Sequence, residues 1–276
     1  MATDKNDTHY FLDANPEEAE RLRLGQLIIG NHMKKLVWAP LDLSQKGLKI
    51  LDSATASGVW LQDLRASLPA DSNNTYVGTD ITPMYFLQEP PPDMQLTVHS
   101  MKDPWPEDWN GSFDLVHQRM ALPAAGRAVV KQVLSNMIGL LKPGGWIQLV
   151  ESDHSVVEGP AMGNMFRLIC DVFKVMETDP DYAPRLEGWL KELGLVNVGC
   201  KIFDVPMGAK NPEEELKDQS TRCFVLANKG LVDVAKDIPN SFSPEELNSI
   251  VPNLEKELST QGGVHRLYCV WGQRPQ

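Results

Sequence analysis

The hydrophobic residues of this 276-residue chain fall into short apolar runs and longer stripes with helical spacing. Between the runs, residues 59–68 and 129–141 repeat apolar positions as one face of a helix does. The short runs, which end in polar or small residues, predict strands over 48–52, 75–81, 94–100, 112–119 and 146–152. Strands separated by helix-length segments pair in parallel, so the pattern predicts a doubly wound α/β sheet.

The two ends of the chain carry further predicted elements. Near the start, Asn15, Pro16 and Glu18 have the pattern of a capped helix, which we expect to end near Trp38. After the fifth strand, we expect helices over 162–177 and 184–193, a strand over 196–206, a capped helix from Ser243 and a strand over 265–272. These seven strands predict one large domain over 41–276, behind a helical cap over 1–40.

The charge, the cysteine spacing and the length of the apolar runs indicate which binding partners the chain is not expected to have. The formal net charge of −11 and the pI of about 5.0 disfavour binding to a nucleic-acid backbone. The four cysteines have neither metal-ligand nor disulfide spacing, so we expect reduced thiols and no bound metal. The polar start and the lack of an apolar run of bilayer length predict a cytoplasmic protein that does not enter a membrane.

One loop carries candidate chemistry. The sequence ILDSATASGVW at 50–60 leads from the first predicted strand into a helix, where doubly wound sheets bind their ligands. Such loops use glycines for a tight turn and for close approach to the ligand. Gly58 remains, but Ala54 and Ala56 occupy two positions that favour glycine. Their Cβ atoms take up space near the ligand and disfavour a positive φ.

The composition of this loop separates two classes of cofactor. A dinucleotide needs a glycine-rich cradle for its pyrophosphate, which this loop provides poorly. S-adenosylmethionine (SAM) carries no phosphate, and it needs a carboxylate near its amino group and an acid for its ribose hydroxyls. Asp52 fits the first role, and Asp80, which lies 22 residues after Gly58, fits the second. An NAD-dependent oxidoreductase is therefore the weaker interpretation.

Four segments together resemble class I SAM-dependent methyltransferases: ILDSATASGVWLQDL, YVGTDI, PPPDMQLTVHSMKDPWPEDWNGSFDLVHQRM and LLKPGGWIQLVESD. The resemblance is closest to the fungal secondary-metabolism branch with the gliotoxin-pathway N-methyltransferase type, and it extends to YFLDANPEEAERLRL near the start. It implies a Rossmann-like, mostly parallel seven-stranded sheet whose last strand runs antiparallel. It also implies SAM as cofactor and S-adenosylhomocysteine (SAH) as product. The branch keeps glycine where this chain has Ala56 and usually has an apolar residue at Ser53.

The resemblance also implies which residues hold the cofactor. Asp80 matches the ribose-binding acid, and Ile81 would flank the adenine. Ser100 and Met101 fall where the adenine pocket is lined. The full set of implied cofactor-binding positions is Tyr10, Asp52, Ala54, Ala56, Gly58, Asp80, Ile81, Ser100, Met101 and Gln118.

Catalytic candidates lie after the fourth and fifth strands. The resemblance places Gln118 and Arg119 beneath the sulfonium and the substrate, and Tyr10 in a segment that could close over the methionine part of the cofactor. In ESDH, His154 could deprotonate a hydroxyl, and Glu151 or Asp153 could bind an amine or orient the histidine. The catalytic predictions are therefore His154, Glu151 and Arg119.

Some of these patterns allow a second interpretation. His154 also fits a solvated loop residue, and His117 fits a packed strand residue on the face of Phe113 and Leu115. One apolar set fits either core packing or the wall of a pocket for a small molecule: Met162, Met165, Phe166, Phe173 and Met176.

Two hypotheses about function follow. The first is an enzyme that transfers a methyl group from SAM to a nitrogen or oxygen of a small-molecule secondary metabolite. The second keeps the fold without methyl transfer, as a regulatory partner or as a cyclase that uses the bound cofactor for its charge. Ala56 motivates the second hypothesis, because it departs from the motif of the family.

Overall fold

The computed structural model describes residues 15–276, so the predictions for Tyr10 lie outside the described residues. A seven-stranded sheet has the order β3-β2-β1-β4-β5-β7-β6. Its strands are β1 (Lys49–Ser53), β2 (Thr75–Asp80), β3 (Met94–Val98), β4 (Phe113–Arg119), β5 (Leu141–Asp153), β6 (Val196–Met207) and β7 (Gly263–Gln273). The α-helices of the described residues are α1 (Pro16–Met33), α2 (Val59–Ser67), α3 (Val130–Gly139), α4 (Pro160–Val175), α5 (Leu186–Glu192), α6 (Glu214–Lys236) and α7 (Pro244–Thr260).

Strand direction brings the candidate residues to one edge of the sheet. β1 pairs in parallel with β2 and β4, and β3 and β5 extend the sheet in parallel on either side. β7 lies between β5 and β6 and is antiparallel to both. This topology confirms the predicted mostly parallel sheet with an antiparallel last strand. The carboxyl ends of β1, β2 and β4 therefore meet at one edge.

The capped helices start where the sequence predicts. The Asn15 side chain accepts a hydrogen bond from the Glu18 N–H at 2.9 Å, which caps α1. Ser243 opens α7 with a complete capping box. α1 ends at Met33 instead of near Trp38, because Lys34 takes a left-handed conformation with φ 60°. The N–H of Trp38 then donates to Gln148 Oε1, which fixes the link between α1 and β1 on the sheet.

Two segments differ from the sequence-based expectation. The sequence predicts the fifth strand over 146–152, whereas β5 already begins at Leu141, with an irregular register opposite Phe113–Leu115. α6 received no prediction from the sequence. A start signal is nevertheless present, because Asn211, Pro212 and Glu214 repeat the spacing of Asn15, Pro16 and Glu18. The helix begins three residues after Asn211, at Glu214, and Asn211 Oδ1 accepts a hydrogen bond from the Glu213 N–H ahead of it.

Apolar side chains pack on both faces of the sheet. The larger cluster contains the neighbouring residues Leu149 and Val150 of β5, so it reaches both faces, and it includes residues of α1, α3, α4 and α6. The smaller cluster packs α2 against β1, β2 and β4. All four cysteines are free thiols, and Cys223 and Cys269 are buried. Of the helices in the described part of the chain, none has the length and apolar character that crossing a bilayer requires.

Candidate cofactor and substrate site

A cavity of about 540 Å³ opens at the carboxyl edge of the sheet. One part, called the loop half here, is lined by residues from 52–60, 80–85 and 99–102. The other part, called the helix half, is lined by residues of α1, α4, α6 and the start of β7. The two halves form one continuous space, with Arg119 among the lining residues.

The loop after β1 adopts the conformation that its glycine-like pattern indicates. Ala54 and Ala56 both have positive φ, at 56° and 52°. A left-handed conformation costs a residue with a Cβ about 1–2 kcal/mol. Hydrogen bonds hold the loop against this cost, because the Thr55 N–H donates to the Thr79 carbonyl at 2.8 Å and the Ala56 N–H donates to Asp80 Oδ2 at 2.8 Å. Gly58, with φ 78°, then caps the start of α2.

Replacing Ala56 with glycine is expected to leave SAM affinity equal or tighter and to raise the free energy of unfolding by up to about 1 kcal/mol. Glycine removes the energetic cost of the left-handed conformation. Its more flexible backbone, however, costs about 0.5–1 kcal/mol more in conformational entropy when the chain folds. Urea unfolding and calorimetry measure the two quantities. Ala66→Gly, on an exposed turn of α2, is the matched control and should destabilise by about 1 kcal/mol. A loss of cofactor affinity in Ala56→Gly would contradict the interpretation of this loop.

Asp52 is held rigidly at the end of β1. Its Oδ1 lies 2.7 Å from Nδ1 of His117, and its Oδ2 accepts a hydrogen bond from Thr55 Oγ1 at 2.6 Å. The His117 ring stacks on Trp60 with 3.7 Å between centroids. Burial lowers the pKa of His117, which keeps the ring neutral. His117 is therefore the packed strand residue of the second interpretation, and it also positions Asp52.

Asp80 faces the loop half from the end of β2. Its Oδ1 accepts a hydrogen bond from the Thr82 N–H at 2.9 Å, and its Oδ2 accepts one from the Ala56 N–H at 2.8 Å. Burial raises the pKa of this carboxyl group. Each oxygen keeps a lone pair for a further donor, so Asp80 can accept two hydroxyl groups of a ligand.

Most of the other predicted cofactor residues lie in the cavity wall. Ile81, Ser100 and Met101 line it, as do Ala54 and Ala56. Their roles toward a cofactor stay predictions. Gly58 is outside the lining and acts through the backbone turn that starts α2.

The structure corrects the expectation for Gln118. Its side chain is fully buried beneath the cavity wall, where Nε2 donates to Ser53 Oγ and Met101 Sδ, both at 3.1 Å. Side chains alternate along a strand, so the face of His117 and Arg119 is the opposite one. Gln118 therefore supports the wall instead of contacting the cavity.

The structure also corrects the expectation for Glu151. This side chain is completely buried and does not line the cavity. Its Oε1 accepts the N–H groups of Ala121 and Leu122, each at 3.2 Å, and its Oε2 accepts the Tyr182 hydroxyl at 2.7 Å. Burial raises the pKa of Glu151 to about 7. Glu151 is thus an internal anchor for the turn after β4, not a group that reaches a substrate.

His154 lies in the turn after β5, where it is half-buried and lines the helix half, and its catalytic role stays a prediction. Its ring lies parallel to that of His265, with 6.3 Å between centroids, and edge-on to Phe173. His265 Nε2 lies 2.8 Å from Ser152 Oγ. Burial lowers the pKa of His154 to about 4 and that of His265 to about 3. Two neutral imidazoles therefore face the cavity near pH 7.

Sequence reasoning missed His265 and the residues of α6 that complete the helix half. His265 lies 113 residues from Ser152, so no local spacing connects them. The apolar set on and after α4 has both of its predicted roles: Met165, Phe173 and Met176 line the cavity, whereas Met162 packs in the core.

Several known proteins are similar to this chain over nearly its whole length. It is 32% identical to N-methyltransferase gliN of Aspergillus fumigatus, with 98% of each chain covered. It is 33% identical to N-methyltransferase sirN of Leptosphaeria maculans, over 99% of this chain and 97% of that one. Identity to methyltransferase psoC of Aspergillus fumigatus is 37%, over 87% and 88% of the two chains. No protein-family model matches the chain.

Solved structures with the same fold are more distant in sequence. Phosphoethanolamine N-methyltransferase 2 of Haemonchus contortus, solved with phosphomonomethylethanolamine and SAH, superposes with a TM-score of 0.60 at 12% identity, covering 98% of this chain and 60% of that one. The [4+2]-cyclase SpnF superposes with a TM-score of 0.50 at 14% identity, covering 98% and 86%. At these identities the likeness concerns the fold alone. The fold, the loop after β1 and the full-length similarity to gliN, sirN and psoC together show that the chain belongs to the SAM-dependent methyltransferases, in their fungal secondary-metabolism branch.

Proposed function

We propose that this protein methylates a nitrogen atom of a small, largely apolar molecule, with SAM bound in the loop half. The observation that carries the proposal is the continuous cavity in which the loop half and the helix half meet. Ligands in the two halves would touch each other without protein between them, as a direct methyl transfer requires. The relatives gliN and sirN are both named N-methyltransferases, which supports nitrogen as the acceptor.

The residues of the loop half fit SAM. Asp80 keeps lone pairs for both ribose hydroxyls, and Asp52 offers a carboxylate near the amino group. Residues 52–60 contain no lysine or arginine, so the loop suits a ligand without phosphate. When bound, SAM supplies a methyl group on an already activated sulfonium.

The helix half fits an apolar body with an uncharged nitrogen. Met165, Phe173 and Met176 form an apolar wall that excludes water. The desolvation that keeps His154 and His265 neutral also disfavours a protonated amine, so a substrate nitrogen keeps its lone pair. A ring nitrogen of either histidine can accept a hydrogen bond from a substrate N–H and orient that lone pair. The net charge of −11 supports a small molecule over a nucleic acid as substrate.

The test uses the full chain, methyl-deuterated SAM and a panel of apolar small molecules matched in skeleton but carrying an amine, an amide or a hydroxyl. We expect labelled product from nitrogen-bearing members, with fragmentation placing the label on nitrogen. Asp80→Ala serves as the control, and its weaker SAM binding should lower product formation at limiting SAM. Label confined to the hydroxyl members would contradict nitrogen as the acceptor.

Calorimetry with SAH separates this proposal from the hypothesis of a non-methylating protein. We expect SAH to bind, with an affinity at least tenfold lower in Asp80→Ala. Binding without transfer to any panel member would favour a cyclase-like use of the cofactor. Absence of binding would favour a regulatory role.

A further inference from the structure

Among the described residues, the guanidinium of Arg119 takes no part in the hydrogen bonds and ring contacts that hold the cavity wall. Arg119 ends β4 and lines the cavity, near Ile29 of α1 and His117. Burial lowers its pKa, but an arginine side chain stays protonated at neutral pH. A positive charge is therefore held in the cavity wall, on a side chain that is half-buried.

The nearby carboxylates are engaged elsewhere. Asp52 accepts hydrogen bonds at both oxygens, and Asp63 accepts one from Gln26 at 2.5 Å. Across residues 15–276, Arg119 has electrostatic neighbours but no hydrogen-bond or ion-pair partner. A half-buried guanidinium without such a partner can donate its N–H groups to an anion that enters the cavity.

The position of Arg119 indicates which anion fits. The register pairs Ser53 with Gln118, so Arg119 lies beside Ala54, the next residue of the loop. Arg119 also shares a face of β4 with His117, the residue that holds Asp52. An anion at Arg119 would therefore lie next to Asp52, where a cation is favoured. The planar N–H donors of a guanidinium match the two oxygens of a carboxylate.

We propose that Arg119 binds the carboxylate at the amino-acid end of SAM, while Asp52 lies near its ammonium group. The amino-acid end of SAM carries a carboxylate and an ammonium group. These two charges match the positive charge of Arg119 and the negative charge of Asp52 in the cavity wall. The inference rests on the proposed function, because it needs SAM in the loop half. It makes Arg119 a residue that binds the cofactor, whereas the sequence placed it among the catalytic candidates.

The affinities of three ligands show how much the carboxylate contributes to binding. SAH carries the carboxylate and the amine, its decarboxylated analogue keeps the amine alone, and 5′-methylthioadenosine lacks both. In calorimetry on the wild-type chain, we expect SAH to bind at least about tenfold more tightly than the analogue. In Arg119→Gln, we expect SAH affinity to fall at least about tenfold, while the analogue binds equally or more tightly because a like charge is gone. Arg119→Lys should keep part of the SAH affinity.

The control is Arg222→Gln. Arg222 lies on α6, is exposed and pairs with Glu20 of α1 outside the cavity, so its loss should leave SAH affinity unchanged. Equal weakening of SAH and the analogue in Arg119→Gln would indicate a structural role and overturn the inference. Unchanged SAH affinity in Arg119→Gln would also overturn it, leaving a substrate carboxylate as the candidate ligand. If the wild-type chain binds none of the three ligands, the proposed function itself fails.

Discussion

Replacing Asp80 with alanine is expected to weaken SAM binding at least tenfold, or by about 1.4 kcal/mol. The carboxylate faces the loop half with one lone pair free on each oxygen, and a hydrogen bond to a charged acceptor contributes about 1.5–3 kcal/mol. The substitution also removes the acceptor of the Ala56 N–H, so the strained loop loses a support. Calorimetry with SAH measures the change.

A ligand without the ribose 2′-hydroxyl distinguishes direct contact from loop collapse. If Asp80 accepts the hydroxyl, removing that hydroxyl weakens binding to the wild-type chain but has little further effect in Asp80→Ala. Asp93→Ala removes an exposed carboxylate that pairs with Arg65, and it should leave the affinity unchanged. Unchanged SAH binding in Asp80→Ala would contradict the assignment of the loop half.

Replacing Glu151 with alanine is expected to lower the free energy of unfolding by about 3–5 kcal/mol. The change leaves two backbone N–H groups and the Tyr182 hydroxyl without their acceptor in a fully buried position, and it also opens a void. Urea unfolding followed by tryptophan fluorescence measures the loss. A loss below about 1 kcal/mol would contradict the anchoring role.

Glu151→Gln is the matched control, and it carries a pH signature. Glutamine can keep all three hydrogen bonds, because its oxygen accepts both N–H groups and its amide donates to Tyr182. The pKa of Glu151 is raised to about 7 in the folded chain, so the folded state holds a proton that the unfolded state releases. The stabilisation is complete below the unfolded pKa near 4.5 and is lost as pH rises through about 7.

Between pH 4.5 and 8, the free energy of unfolding of the wild-type chain should therefore fall by on the order of 3 kcal/mol relative to that of Glu151→Gln. The comparison is made as a difference between the two chains because His154 and His265, whose pKa values are lowered, titrate with the opposite sign. Their contribution to stability is lost as pH falls from about 6.5 toward 4 and 3. A difference that does not change with pH would show that Glu151 is ionised in the fold throughout.

The sheet and the polar and small residues of the loop half follow from local patterns of the sequence. Apolar runs that end at Asp52, Asp80 and Arg119 are local features, and parallel pairing brings such ends to one edge. The left-handed turns at Ala54 and Ala56 follow from their positions in a glycine-type loop. Spacing within the chain was sufficient for these features because strand, turn and helix signals act over a few residues.

Only the tertiary structure decided which side chains face the helix half. Alternation gives the face of a strand but not the element that covers it, so Gln118 and Glu151 were expected in the site although both are buried beneath its wall. His265 meets Ser152 only because β7 inserts beside β5, 113 residues along the chain. The charge left unpaired at Arg119 is likewise a property of the packed molecule. These features depend on contacts between distant segments, which local sequence patterns do not encode.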